Sequence, residues 1–442
     1  MNTTICKKEN IPLFHLTVLF TLTFFIYKDF GIRMIWGFGF MCLLLFLKWG
    51  LSNRISFNNS LFSKAYVFLA IIITMFVVIP YSKRSYDIVA MVISLDISAL
   101  YVACATPKLT EVKKAMRLIV AVALILSVYV ILVAIWPGLY YDYVSKILDA
   151  ETVRISNTLL SLNYGIAIGG NVVLIDYIVL LAVLITVNTY VIKGRGLKSL
   201  LKLIVLIAVF LLAMVLENRK SELIVGVFVA FCCFISKITK TTLPKRLRNI
   251  IVALFAAIIV IIAIAFIAHS GYANRLVFFL KNINIKAILQ GKDTVDISSG
   301  RLKLWEKAFQ LFKENPIFGI GWGRFSDHIQ VYNSIINEQL ANVHNNYLQL
   351  LCEIGIVGFL LVIAPMLVLF RMTIKTSHKL KSLGHEADDL RIINSTAWGF
   401  QLFHFIISII DPSWYKIIFW WFYAIAVMLA QTALRIAKEK EG

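Results

Sequence analysis

Apolar runs of the length of a membrane-spanning helix recur along most of the chain, and they constrain its fold more than any other feature. A helix needs about 20 mostly apolar residues to cross the hydrocarbon layer of a bilayer. Twelve runs near this length occur, at 11–27, 34–50, 65–81, 86–105, 116–136, 171–192, 203–216, 224–236, 250–268, 346–371, 393–411 and 415–434. The chain is therefore predicted to be an all-α polytopic membrane protein with about 12 transmembrane helices.

The composition excludes other classes of protein. Hydrophobic residues make up 60% of the chain and charged residues 15%, whereas soluble domains carry about 25% charged residues. A soluble enzyme, a disordered chain and a disulfide scaffold are therefore excluded. The 44 Lys and Arg exceed the 24 Asp and Glu. In a membrane protein such an excess orients loops and contacts anionic lipids, so no nucleic-acid partner is predicted.

The distribution of Lys and Arg predicts the topology. If the amino terminus is cytoplasmic, the inside segments are richer in these residues than the short outside segments, and long loops are exempt from this bias. Residues 1–268 then form a membrane domain of nine spans with a smaller periplasmic loop at 137–170. A large helical periplasmic loop at 269–345 separates spans 9 and 10, and residues 346–442 form the remaining membrane domain. The mixed-charge segment 371–391 is predicted to be a solvated cytoplasmic linker.

The large loop contains an amphipathic helix, predicted at 301–314. Apolar side chains recur there at three- and four-residue steps, at Leu302, Trp305, Ala308, Phe309 and Phe312. Ser298 or Ser299 is a candidate cap for its start, and Asn315-Pro316 ends it. The glycine-rich segment 319–325 follows. Because no strand pattern precedes these glycines, they favour a flexible turn over a dinucleotide-binding loop.

Charged residues lie between the two shortest apolar runs, 203–216 and 224–236. A run as short as 203–216 rises about 21 Å as a helix, less than a hydrocarbon core of about 30 Å. Either the turn after it dips toward the membrane, or the helix extends at its cytoplasmic end with Lys202 snorkelling. The turn then holds Arg219 and Lys220 near the outer interface. They are candidates for an anion site, with Arg219 aimed at a phosphate. The alternative is a hairpin whose charges neutralise one another.

Two further candidate residues lie in or beside the large loop. Arg301 begins the amphipathic helix, where a cation faces the positive end of the helix dipole, so it is either a binding residue or a solvated arginine. His344 opens span 10, where the helix terminus favours a neutral imidazole able to accept a proton. The alternative is an interfacial histidine that only hydrogen-bonds. Asn345 and Arg324 complete the predicted substrate-binding group.

Carboxylates inside apolar runs support a rival hypothesis. Asp96 and Asp176 lie within two of the runs, and Asp411 lies at the end of another. Buried carboxylates at such depths occur in proton relays, so a polysaccharide or small-molecule transporter is an alternative function. The sequence contains no HExxH or GxSxG motif, and neither a metal nor a cofactor is predicted.

Three segments together resemble the O-antigen ligase and Wzy-type O-antigen polymerase superfamily of bacterial envelopes. They are RKSEL at 219–223, SGRLKLW continuing to NPIFGIG within 299–321, and HNNYLQLLCEIGIVG at 344–358. The resemblance covers roughly residues 200–370. It implies a GT-C-like membrane glycosyltransferase in the bacterial inner membrane, with its active site on the periplasmic face.

The resemblance also implies a reaction. The donor would be a glycan on undecaprenyl pyrophosphate, and the acceptor a sugar hydroxyl on a lipid carrier or on lipid A-core. His344 would be the general base, and Arg219 and Arg301 would bind the pyrophosphate during an inverting, metal-independent transfer. Membrane lipids, a chain-length regulator and a flippase are the implied partners.

The motifs favour one of two family activities. The stretch SGR…W…NP…GIG is more similar to polymerases of O-antigen, capsule or exopolysaccharide, so we favour a polymerase. An O-antigen ligase that transfers the glycan to lipid A-core is the alternative.

Overall fold

The computed structural model describes a large part of the chain. It covers residue 18 and residues 58–79, 82–83, 85–148, 150–161, 166, 172–194, 196–217, 220–238, 301–329, 332–333, 338–339, 342–415 and 417–441. The predicted spans 11–27 (apart from Val18), 34–50 and 250–268 lie outside the described residues, as does Arg219.

The described part of the chain is built from helices. They are α1 Leu61–Val78, α2 Tyr86–Cys104, α3 Leu109–Ile135, α4 Ala150–Ser161, α5 Val172–Lys193, α6 Gly196–Leu216, α7 Lys220–Ile238, α8 Arg301–Glu314, α9 Asn346–Ser382, α10 Asp388–Ile407 and α11 Ile417–Glu439. Short helical turns occupy Tyr140–Val144, Ser145–Ile147, Phe325–His328, Gly384–Ala387 and Ser413–Tyr415. Two short strands, β1 Tyr332–Asn333 and β2 Glu338–Gln339, pair antiparallel. The predicted all-α class is confirmed.

Six described helices are long and apolar enough to cross a membrane, and two shorter apolar helices accompany them. The six windows are Leu61–Val78, Leu109–Ile135, Asp176–Lys193, Gly196–Leu216, Asn346–Ser382 and Phe419–Glu439. The shorter ones are Ile88–Cys104 and Ser221–Ile235. α10 does not meet these criteria. It buries Asn394, Gln401 and His404 among neighbouring helices, and a helix enclosed by protein needs no lipid-compatible surface.

The helix that contains the short run 203–216 begins earlier than the run. α6 starts at Gly196, so Lys202 lies inside the helix and is exposed. Twenty-one residues rise about 31 Å, which is sufficient for the hydrocarbon layer. Of the two predicted solutions, the structure has the extended helix.

The predicted solvated linker at 371–391 is wrong. α9 continues to Ser382 and α10 begins at Asp388, so only a short connection with a turn at Gly384–Ala387 separates them. Lysine and arginine are good helix formers, and cations in the last turn interact favourably with the helix dipole. The charges at 371–382 therefore extend the helix beyond its apolar section and do not end it.

α11 occupies the centre of the described bundle, where it packs against α2, α9 and α10. Its first turns bury large aromatic side chains, including Phe419, Trp420 and Tyr423. The Tyr66 hydroxyl of α1 donates to the Trp420 carbonyl at 2.9 Å, which ties α1 to this core.

Segments predicted to share a side of the membrane meet at the same end of the bundle. At one end, the Asn346 N–H donates to the Ser408 carbonyl at 2.8 Å, and the Lys83 N–H donates to the Trp322 carbonyl at 2.8 Å. At the other end, Asp389 pairs with Lys113 and Lys193. We call these the His344 end and the Asp389 end. This arrangement agrees with helices that alternate in direction across a membrane.

Candidate functional site

His344 lies immediately before α9 in an unusual backbone conformation. Its φ is 56°, and no other non-glycine residue in the described part of the chain has a positive φ. The left-handed region costs an L-residue about 1–2 kcal/mol, and such strain persists only where the surroundings impose it. The Asn345 side chain caps α9 by accepting from the Leu348 N–H at 3.1 Å. His344 is therefore held at a fixed point before the helix terminus, half-buried.

The residues beside His344 are hydrogen-bonded to other segments. The Trp305 indole donates to the Val343 carbonyl at 3.1 Å, and the Val343 N–H donates to the Gln349 side chain at 3.3 Å. On the other side, the Asn346 carboxamide donates to the Ser413 hydroxyl at 2.9 Å and accepts from the Trp414 N–H at 3.3 Å. These contacts supply the external restraint that the positive φ of His344 requires.

Arg301 is brought toward His344 by the packing of α8 on α9. Leu304, Ala308 and Leu311 of α8 are buried in one cluster with Val343 and Cys352. Arg301 lies four residues before Trp305 and therefore on the same helix face, about 6 Å away along the axis. Since the Trp305 indole bonds the carbonyl of Val343, Arg301 and His344 lie at the same end and on neighbouring segments. The two segments that carry the predicted pair are thus adjacent.

The glycine-rich segment contains turns, and its backbone is hydrogen-bonded to α9. Ile320 N–H donates to the Cys352 carbonyl at 2.9 Å and Gly321 N–H to the Glu353 carbonyl at 2.7 Å. α9 is interrupted at Gly355, whose φ is 65°, and a Cβ there would lie 2.2 Å from the Ile317 oxygen. The two backbones approach too closely for a side chain at Gly319 or Gly355, so these two glycines permit the contact.

Glu353 anchors the same segment from inside the bundle. Its buried carboxylate accepts from the Gly323 N–H at 2.7 Å, the Phe325 N–H at 3.2 Å and the Gln349 amide at 3.3 Å. The Tyr415 hydroxyl donates to it as well. Glu353 is not among the residues predicted from the sequence, although a carboxylate inside the apolar run 346–371 is the same signal that singled out Asp96 and Asp176.

Arg324 is exposed at the rim of this region. Its guanidinium lies 3.6 Å from the Asp327 carboxylate, which also pairs with Lys83 at 2.6 Å. The hydrogen bond from Lys83 is the largest cause that holds the pKa of Asp327 below its usual value. Arg324 therefore belongs to a surface ion-pair group that joins the glycine-rich segment to the α1–α2 connection.

The start of α7, which follows Arg219 in the chain, lies at the same end. α6 ends at Leu216 and α7 begins at Lys220. For Lys220 only the backbone is described. α7 packs against α5, and a Cβ at Gly226 of α7 would lie 2.9 Å from the Leu180 side chain of α5. The last residue of α5, Lys193, pairs with Asp389 at the opposite end. The start of α7 therefore lies toward the His344 end, and Arg219 itself is outside the described residues.

The two carboxylates of the transporter hypothesis belong to different clusters. Asp96 accepts a hydrogen bond from Thr74 at 3.0 Å, between α2 and α1. Asp176 is buried beside Tyr177 in α5. Only Asp176 lies with the residues of the candidate site.

Comparison with known proteins identifies a family for the segment that contains the site. Residues 175–363 match the family model described as O-antigen ligase. The match contains Arg219, Arg301, His344 and the glycine-rich segment, so the family resemblance seen in the three motifs is confirmed. The comparison with curated proteins found no match. The family match supports an activity of the O-antigen ligase or polymerase type in a multi-pass membrane protein.

Proposed function

We propose that this chain, whose residues 175–363 match the O-antigen ligase family model, is an inverting, metal-independent membrane glycosyltransferase. It transfers a glycan from undecaprenyl pyrophosphate to a sugar hydroxyl during assembly of a surface polysaccharide. The observation that carries this proposal is the junction of α8 and α9, where the Trp305–Val343 hydrogen bond holds the segments of Arg301 and His344 together.

His344 is the general base of this reaction. Direct displacement at the anomeric carbon requires removal of the proton from the acceptor hydroxyl as the new bond forms. An imidazole before a helix amino terminus is favoured in the neutral, proton-accepting form by the dipole. A positioned general base contributes about 10²–10⁴-fold in rate, so charge stabilisation and positioning supply the remainder.

Arg301 and Arg219 stabilise the leaving pyrophosphate. The guanidinium group grips phosphate oxygens bidentately and stays charged at every physiological pH. Lys220 and Arg324 contribute further positive charge toward the anionic donor. The Asn345 oxygen caps α9, so this side chain contacts substrate through its amide nitrogen.

The His344 end faces the periplasm in this proposal. Its support is the excess of Lys and Arg in the segments that lie at the opposite end. The lipid-linked donor then reaches the site from the outer leaflet of the inner membrane, where a flippase delivers it and a chain-length regulator acts on the product.

Polymerase is our first candidate activity, because of the similarity of the segment around Arg301 to polymerases. Ligase is the second, since the matching family model is described as O-antigen ligase. The two activities share donor chemistry and differ in the acceptor.

One experiment tests both activities. The purified chain in nanodiscs receives a lipid-linked repeat as donor, with either more lipid-linked repeat or lipid A-core as acceptor, and products are resolved by electrophoresis and mass spectrometry. Elongated lipid-linked glycan indicates a polymerase, and glycan on lipid A-core indicates a ligase. Absence of both products, with donor binding retained, would contradict the proposal.

A further inference from the structure

A cavity at the Asp389 end lies on the opposite side of the bundle from His344. It has a volume of about 680 Å³ and lies between α3, α5, α6 and the start of α10. This volume is within the range of about 300–1,000 Å³ that is typical of ligand sites. The cavity is separate from the glycosyltransferase site proposed above.

Basic side chains line one part of this cavity. They are Lys113, Arg117, Lys193 and Lys202, and one carboxylate, Asp389, accompanies them. Asp389 pairs with both Lys113 and Lys193, so a single negative charge faces two ammonium groups. Within the described part of the chain, Arg117 and Lys202 form no ion pair, and both are exposed. The cavity is therefore strongly positive.

The lining changes from basic to apolar with depth. Along α3 it runs from Lys113 and Arg117 to Val120 and Leu124. Along α6 it runs from Lys202 to apolar residues one turn further on. The step from Lys113 to Leu124 rises about 16 Å as a helix, close to half of a hydrocarbon layer of about 30 Å. The order of charge and apolar surface thus matches the headgroup and acyl chains of a lipid in one leaflet.

We propose that this cavity binds an anionic phospholipid whose phosphodiester lies between Arg117 and Lys202. The planar guanidinium and the ammonium group donate to the phosphate oxygens, and the apolar walls of α3 and α6 contact the acyl chains. The Lys and Arg distribution predicts this end to be cytoplasmic, and basic pockets between helices on that side bind anionic headgroups. The lipid joins α3 to α6, the helix that precedes Arg219 in the chain.

The test measures phospholipid binding to the purified full chain in neutral detergent. Native mass spectrometry counts bound phosphatidylglycerol during a titration, with phosphatidylcholine as the zwitterionic comparison. The variant Arg117→Gln/Lys202→Gln removes two charges from the cavity. The control Lys114→Gln/Lys198→Gln removes two exposed charges from the same ends of the same helices, outside the cavity lining.

We expect phosphatidylglycerol to bind more tightly than phosphatidylcholine and the cavity variant to lose about 10- to 30-fold in affinity. The control variant should keep its affinity within about threefold. The swap Arg117→Lys/Lys202→Arg, which conserves charge, should retain most of the binding and so separates lost charge from misfolding.

Three results would overturn the proposal. Equal loss of affinity in the cavity and control variants would indicate attraction by general surface charge. Equal binding of phosphatidylcholine would remove the role of the anionic headgroup. If soluble glycerophosphate protected the protein from thermal unfolding as well as phosphatidylglycerol does, the ligand would be a free anion and not a lipid.

Discussion

The two ends of the bundle use polar side chains in different ways. At the His344 end they hold irregular backbone in place. Examples are the buried Glu353 carboxylate, which accepts from the Gly323 and Phe325 amides, and the restraints on His344, whose φ of 56° is costly for a residue other than glycine. At the Asp389 end, helices run on regularly past the apolar section and charges pair near the surface, as in Lys379–Glu441 at 2.5 Å. Strain that the surroundings must maintain is characteristic of functional sites, whereas regular charged helix ends serve orientation and lipid contact.

The largest expected effect is on catalysis by His344. His344→Ala should lower the rate of glycan transfer by about 10²–10⁴-fold, because the acceptor hydroxyl loses its general base. The measurement is product formation from a lipid-linked donor by the purified protein. His385→Ala is the control at the Asp389 end, since His385 is 93% exposed and pairs only with Asp388 among the described residues.

The same assay distinguishes an enzyme from a transporter. A proton-coupled transporter depends on Asp96 and Asp176 and tolerates alanine at His344, whereas an enzyme shows the reverse dependence. Full transfer by His344→Ala, together with loss of transport by Asp96→Asn, would end the glycosyltransferase proposal.

A smaller effect is expected at Arg301. Arg301→Ala should reduce the rate by about 10²–10³-fold, the cost of removing one preorganised group that stabilises developing charge. Arg301→Lys should recover part of this loss, because an ammonium keeps the charge but not the bidentate geometry.

Lys303→Ala is the matched control for Arg301, since Lys303 is exposed on the same helix. Comparable losses in Arg301→Ala and Lys303→Ala would show that only the general positive charge of α8 matters. In that case Arg301 would not be a pyrophosphate ligand.

Two glycines with similar backbone angles provide a comparison of stability between the ends. Gly355 has a φ of 65° and a Cβ there would lie 2.2 Å from the Ile317 oxygen. Gly384 has a φ of 61° and open space around it. Gly384→Ala should cost about 1–2 kcal/mol for the left-handed conformation alone. Gly355→Ala should cost more, because the backbone contact must also open.

Thermal unfolding in one detergent measures both glycine variants. Equal decreases in the unfolding temperature would show that the contact between the glycine-rich segment and α9 contributes no stability. A larger decrease for Gly355→Ala would support a rigid frame around His344.

Much of this fold follows from local patterns in the sequence. The apolar runs predict the spanning helices because each span must satisfy its backbone hydrogen bonds within itself. The periodicity at Leu302, Trp305 and Phe309 predicts a helix at the bounds that α8 has, Arg301–Glu314. The prediction of a linker fails at residues 371–382, because charge marks the end of the apolar section and not the end of the helix.

The candidate site was only partly predictable. His344 and Arg301 were identified because their residue types conflict with, or exploit, the dipole at a helix start. Glu353 and the contact of Gly355 with Ile317 were missed, since they depend on two segments far apart in the chain that meet only after folding. The number of residues between two segments does not predict which of their backbone groups come within hydrogen-bond distance, about 3 Å, after folding.

The smallest effect is expected at the ion pair that joins the glycine-rich segment to the α1–α2 connection. Asp327→Asn removes the partner of Lys83 and should lower the free energy of unfolding by less than about 1 kcal/mol, since Asp327 is 38% exposed and the pair is screened by solvent. The pKa of Asp327 is lowered by the Lys83 hydrogen bond. The stabilisation is therefore present above the unfolded-state pKa of about 3.9 and is lost as the pH falls below it.

Unfolding measured from pH 7 down to about pH 3 checks this expectation. The stability difference between the native protein and Asp327→Asn should be constant at neutral pH and should shrink as the pH falls below about 3.9, with complete loss only below the lowered pKa of the folded state. Glu439→Gln, which breaks the exposed Arg435 pair at the Asp389 end, should cost about 0.3–0.5 kcal/mol, as other helix pairs of this spacing do. A difference at Asp327 that does not shrink at all between about pH 5 and about pH 3 would mean that the side chain acts through shape and not through charge, and the electrostatic contrast between the two ends would then fail at this position.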